Sequence, residues 1–199
     1  MTLSVSGAVA PGFEPVADAY ARGFESRPAM GAALHVTCEG ESVVNLWAGF
    51  ADARTEKAWS ERTASVIFSC TKGLVSIMAA RLVQEGRLRY EAPVAQYWPE
   101  FAAAGKDKVT VGQALAHHAG LSAPRADLSE DDIVDWNRVV SALAAQEPLW
   151  PLGSGYAYHA LTHGWVVGEI LRRVTGQSVG SYFRERVTEI GRASCRERV

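Results

Sequence analysis

The 199 residues are 48% hydrophobic and 21% charged, with a net charge of −2. This is the balance of a globular chain long enough to bury one core. So small a charge leaves no electrostatic footprint for nucleic acid or an anionic membrane surface, and no apolar run reaches the length that spans a bilayer. Cys38, Cys70 and Cys195 show neither metal-ligand spacing nor a disulfide framework. The opening residues lack the basic and apolar regions of a secretory signal, so a reducing cytoplasm is the expected compartment.

In chain order, residues 13–24 place Phe13, Val16, Ala17, Tyr20 and Phe24 on one helical face, with Pro28 as the stop. Residues 31–38 and 42–50 read as two strands joined at Glu39-Gly40-Glu41, a hairpin signal. A polar stretch, 51–63, carries Trp59. An extended apolar run at 65–68 then gives way to a helix from Ser69 that ends near Glu85-Gly86. Pro93 and Pro99 punctuate the next stretch. Thr110 is the candidate N-cap of a short helix over 109–117, and Ser129 with Asp132 is a capping-box-like start to a helix reaching about Gln146. After a loop over 150–155, a last amphipathic helix runs from about Leu161 to Thr175, with Gly176 at its end. Two strands alone do not make a stable sheet, so more strands are expected.

Ser69-Cys70-Thr71-Lys72 is the stretch that carries chemistry. Residues three apart on a helix share a face, so the Ser69 hydroxyl and the Lys72 amine can meet. A serine hydroxyl becomes a nucleophile only when a neighbouring group takes its proton, and an amine one turn away can do so. The spacing is common by chance, and it also fits an N-cap serine followed by a surface lysine. Its setting at the start of a helix, where backbone N–H groups are free, favours a site for developing negative charge.

Tyr158 is the candidate partner of Lys72. It comes after a Pro/Gly-rich loop, and a phenol beside an ammonium has a lowered pKa suited to base catalysis. From the residues alone, the same tyrosine could cover a core edge. His117 and His118 are adjacent and point about 100° apart on a helix, which suits structural roles better than one shared metal. His159 either lines the cleft or supports it from behind. Cys70 reads as a small packed residue behind Ser69. There is no Gly-x-Ser-x-Gly elbow, P-loop or dinucleotide fingerprint.

Taken together, Phe13–Asp18, Val44–Asp52, Phe68–Gly73, Tyr97–Phe101, Leu115–Leu121, Tyr158–Trp165 and Gly168–Gly176 resemble the β-lactamase-related serine hydrolases, most closely the family VIII carboxylesterases. The resemblance runs over roughly residues 9–187. It implies an α+β fold of the serine β-lactamase/DD-peptidase type, an antiparallel sheet flanked by helices plus a helical subdomain. It also implies Ser69 as the acylated nucleophile, Lys72 accepting or relaying its proton, and Tyr158 assisting deprotonation and protonating the leaving group. It implies no cofactor and no metal. The expected partner is a small-molecule ester, with neither nucleic acid nor membrane; oligomeric state is not legible. By the same resemblance, half of the oxyanion hole and the family's third motif are expected on a strand downstream of everything in this sequence. Class C β-lactamases have Tyr-x-Asn, whereas here the third position is Ala160, which favours an esterase over a dedicated β-lactamase; weak β-lactam hydrolysis is compatible with the family, and β-lactamase or DD-peptidase-like activity is the alternative. The alternative from another class is a catalytically inactive or binding-only relative.

Residues 189–199 back-translate to a stretch that resembles a short-read sequencing adapter. The expectation is therefore a partial β-lactamase-related domain over 9–188, an artefactual tail over 189–199, a missing C-terminal part, and no activity in the chain as it stands.

Overall fold

The computed structural model describes residues 4–27 and 30–187, which fall into two compact units divided after Val66. The tail expected over 189–199, with Cys195, lies outside the described residues. The first unit holds an antiparallel sheet: β1 (Ser6–Val9), β2 (Gly31–Cys38), β3 (Glu41–Asp52) and β4 (Lys57–Ala58). β3 is central, pairing with β1 through Ser6↔Trp47 to Val9↔Val44 and with β2 through Gly31↔Gly49 to Cys38↔Glu41. β4 adds a short pair at the far end of β3. The β2–β3 hairpin turns on Glu39 and Gly40, both at positive φ (53° and 88°), as a two-residue turn of matching twist requires. Along β3, Val44, Leu46 and Ala48 are buried in strict alternation, the period of a half-buried strand.

α1 (Glu14–Arg22) belongs to the same unit. Its expected face holds: Phe24, just past its end, is buried and meets Tyr20 edge-on at 5.3 Å, and the Tyr20 hydroxyl donates to Ala32 O at 2.7 Å. The helix stops at Gly23, and the expected stop at Pro28 lies outside the described residues.

The second unit is helical, with α2 (Thr71–Gln84), α3 (Val111–Leu115), α4 (Glu130–Val134), α5 (Trp136–Ala145), α6 (Thr162–Thr175) and α7 (Val179–Arg186). Its core gathers Val75, Met78 and Leu82 of α2, Val139 and Leu143 of α5, and Val166 and Ile170 of α6 around Trp98 and Phe101. Each of these helices contributes apolar positions at i, i+3, i+4 or i+7.

Capping residues set several of the helix ends. Thr110 with Gln113 and Ser129 with Asp132 both form reciprocal capping boxes. Gly176 closes α6 at φ 74°, and Gly86 comes just after α2 at φ 69°.

Three expectations need correction. Residues 65–68 form no strand among the described residues. Val66, Ile67 and Phe68 are exposed, and a strand without a ladder partner leaves its N–H and C=O groups unpaired. The helix expected over 129–146 is two helices. Asp135 adopts extended dihedrals (φ −84°, ψ 102°) and its carboxylate accepts from the N–H groups of Asn137 and Arg138, so a second cap outcompetes continuation. The helix from Ser69 begins at Thr71, after a 3₁₀ turn over Phe68–Cys70. β1, β4 and α7 are additional to the expected elements.

Two buried charges sit in the helical unit. Glu169 is fully buried in α6 and accepts from Arg172 (2.7 Å), Arg173 (2.7 Å) and Trp136 Nε1 (2.8 Å), which stitches α6 to α5. Burial alone would raise its pKa, but the hydrogen bonds from Arg172, Arg173 and Trp136 outweigh it and bring it down to about 2. The folded value lies below the ordinary 4.5, so the stabilisation is present above pH 4.5 and is lost as pH falls toward about 2. Glu169→Gln is expected to cost about 2–3 kcal/mol at neutral pH, because the two arginines keep partial access to water. The urea midpoint should fall at unchanged slope, and the deficit should shrink at acid pH as the wild-type carboxylate protonates. Lys106, also fully buried, donates to Ala103 O and Gln146 O, and burial pushes its pKa down.

Candidate active site

Ser69 sits in the 3₁₀ turn that leads into α2, and Lys72 lies in the first turn of that helix. The i, i+3 spacing brings Lys72 Nζ to 3.2 Å from Ser69 Oγ. The serine is not a helix cap: its side chain makes no capping hydrogen bond, and it is exposed. Phe68, the residue before it, takes φ 44°, a left-handed conformation rare for a bulky side chain and typical of functional turns. Nothing in the local sequence signals that conformation, since phenylalanine has no left-handed preference.

Tyr158 reaches the same place from a distant part of the chain, on the segment ahead of α6. That segment, residues 155–159, carries no regular structure, and Tyr158 is 53% exposed within it. Lys72 ties it down: Nζ donates to Ala160 O at 2.8 Å and lies 4.8 Å from the centre of the Tyr158 ring. Hydrogen bonding to Ser69 first and to Lys72 second holds the Tyr158 pKa below the ordinary phenol value. The three residues singled out in the sequence therefore meet. A groove of about 290 Å³ opens beside them, walled by Phe68, Thr71, Val75, Leu161 and Gly164.

Behind Tyr158 stands a group of imidazoles. The His117 ring lies 4.8 Å from that of Tyr158, 4.9 Å from His163 and 5.4 Å from His159. His118 turns the other way and packs on Tyr156 at 5.5 Å, so the adjacent pair diverges. Among the described residues, no group of three or more His, Cys, Asp or Glu is arranged to hold a metal. His159 is 1% exposed, so it supports the segment from behind and does not line the groove. His163, in the first turn of α6, is equally buried, and its pKa falls to about 4, from burial first and then from His117 and Lys72. It carries no sequence signal beyond an apolar helix face. Cys70 is exposed and free, which corrects the packed position expected of it.

A serine held by a lysine one turn on, with a tyrosine brought to both from another segment, defines a class of serine-nucleophile proteins, and the sequence agrees. The chain belongs to the Beta-lactamase family, which it matches over residues 16–196. It is 42% identical over 185 residues to the Esterase/beta-lactamase LipL of Mycobacterium tuberculosis, a match covering 93% of this chain and 43% of that protein. A solved family VIII carboxylesterase is 43% identical with a TM-score of 0.84, covering 92% of this chain and 50% of the other. A penicillin-binding protein homologue from Caulobacter crescentus is 42% identical with a TM-score of 0.87, covering 94% and 50%. The α+β fold is thus of the serine β-lactamase type, and the chain spans about half the length of these relatives.

Proposed function

We propose that this chain carries the nucleophile half of a serine carboxylesterase that cleaves small esters through an acyl-enzyme on Ser69. The observation that carries the reading is Lys72 Nζ, shared between Ser69 Oγ and the Tyr158 segment. Ser69 Oγ attacks the ester carbonyl carbon, and its proton passes to the Lys72–Tyr158 pair, which holds one proton between Nζ and the phenol oxygen and so leaves one of the two free to accept it. The tetrahedral intermediate collapses, the bond to the alcohol oxygen breaks, and Tyr158 returns the proton to the leaving alkoxide. Water then attacks the acyl carbon by the same route, releasing the acid and restoring the serine. The Ser69 backbone N–H, in the 3₁₀ turn, supplies one oxyanion donor.

Two features support ester over β-lactam as the substrate. The groove wall is mostly apolar, and Ala160 has no side-chain donor for a β-lactam amide. The reading needs no cofactor or metal. Cys38 and Cys70, both free among the described residues, support a reducing cytoplasm as the compartment.

The test uses the protein carried to the full length of its relatives. Incubated with a fluorophosphonate, it should gain one adduct by intact mass, located by peptide mapping on the peptide holding Ser69. It should also hydrolyse p-nitrophenyl butyrate. A protein that turns over the ester yet takes the label elsewhere, or takes none, overturns the assignment.

A further inference from the structure

We propose that neutral His117 and His159 are positioning residues that set the Tyr158 phenol against Ser69 and Lys72. The inference rests on the esterase reading above. Tyr158 lies half-exposed on an irregular segment, so its own burial does not fix it. Its two neighbours in sequence do. The His159 backbone N–H donates to His117 Nδ1 at 3.1 Å. The Leu121 N–H donates to His159 Nε2 at 3.0 Å, and His159 Nδ1 then carries the proton that it donates to Ala157 O at 2.7 Å. These three bonds bracket Tyr158 on both sides and join its segment to the 117–121 loop.

Both imidazoles must be neutral for this to hold. His117 Nδ1 and His159 Nε2 act as acceptors, and protonation of either ring removes the lone pair it uses. Their surroundings keep them so. Lys72 of α2, His163 of α6, His118 of the adjoining turn, and Tyr158 itself face this pair. Lys72 already places one positive charge there. Burial first, and neighbouring positive charge second, lowers the pKa of His117, and burial also lowers that of His159. His117 further sits at φ 66°, a left-handed conformation that turns the chain out of α3 and lays the ring against Tyr158.

The test exploits the two ring positions in the full-length protein. In His117→Asn the amide oxygen falls where Nδ1 stood, and asparagine tolerates a positive φ. In His117→Gln the oxygen falls at the Nε2 position and the bond to His159 is lost. Misplacing the phenol should lower kcat of His117→Gln about 10–100-fold with KM within about twofold, while His117→Asn recovers to within about threefold of wild type. At residue 159 each variant keeps one bond and loses the other, His159→Gln keeping the acceptor for Leu121 and His159→Asn the donor to Ala157 O, so both should lower kcat. The acid limb of the kcat/KM profile should move to lower pH in His117→Asn, where one protonatable acceptor is gone. Ultraviolet titration of Tyr158, read against Tyr158→Phe, should show its pKa rising in His117→Gln; it requires no turnover. Equal kcat and equal tyrosine titration in His117→Asn and His117→Gln, with wild-type labelling at Ser69 intact, overturns the positioning role alone. Wild-type protein that takes no fluorophosphonate overturns the esterase reading instead.

Discussion

Ser69→Ala in the full-length protein is expected to lower kcat/KM for p-nitrophenyl butyrate by at least about 10⁴-fold and to abolish fluorophosphonate labelling. The size of the effect comes from the groups that stay behind. Substrate still meets the groove and the backbone N–H donors, so binding survives, but among the described residues no other nucleophile is paired with Lys72. Cys70 is the nearest rival: it is exposed and its thiol is free. It stands two residues from Lys72, however, and residues two apart on a helix do not face each other. Cys70→Ala should therefore keep turnover within about threefold of wild type, a small surface change of the ordinary kind. The fold should not respond to Ser69→Ala either, since the serine is exposed and caps nothing. Equal thermal midpoints with activity lost would place the effect on chemistry. Retention of turnover would exclude Ser69 as nucleophile.

The parts of this site visible in the sequence are those set by short-range geometry. Ser69 and Lys72 are one helical turn apart, and that spacing alone brings them within reach. Helix ends at Thr110, Ser129, Gly86 and Gly176 are legible for the same reason, because a cap is decided within four residues. Tyr158 stands out only by its loop setting and by family resemblance, since nothing local joins it to Lys72 across the intervening chain. The features hidden in the sequence are either strained or long-range. Phe68 and His117 adopt left-handed dihedrals without any glycine to announce them. The break at Asp135 competes with a helix that its neighbours favour on both sides, and the cap wins by satisfying two N–H groups at once. The imidazole group behind Tyr158 draws on residues 117, 159 and 163, and its neutrality comes from burial, which no local pattern encodes.

Lys72→Ala is expected to lower kcat about 10³-fold, the scale on which a positioned proton acceptor contributes. The proposed scheme gives this nitrogen two roles, and they can be separated. The first is proton traffic with Ser69 Oγ at 3.2 Å; the second is the bond to Ala160 O at 2.8 Å, which anchors the segment bearing Tyr158. Lys72→Arg keeps a positive charge and can still donate to Ala160 O, but a guanidinium does not give up its proton at any working pH. If Lys72 only anchored the segment, arginine would restore most of the rate. If it takes part in proton transfer, arginine stays near the alanine level while the Tyr158 titration returns toward its wild-type value. Tyr158→Phe should cost about 10²-fold by itself. The double variant Lys72→Ala/Tyr158→Phe should lose little beyond Lys72→Ala, because groups that share one proton act as a unit and their losses do not add. Strictly additive losses, about 10⁵-fold for the double variant, would show two independent steps and break the shared-proton scheme.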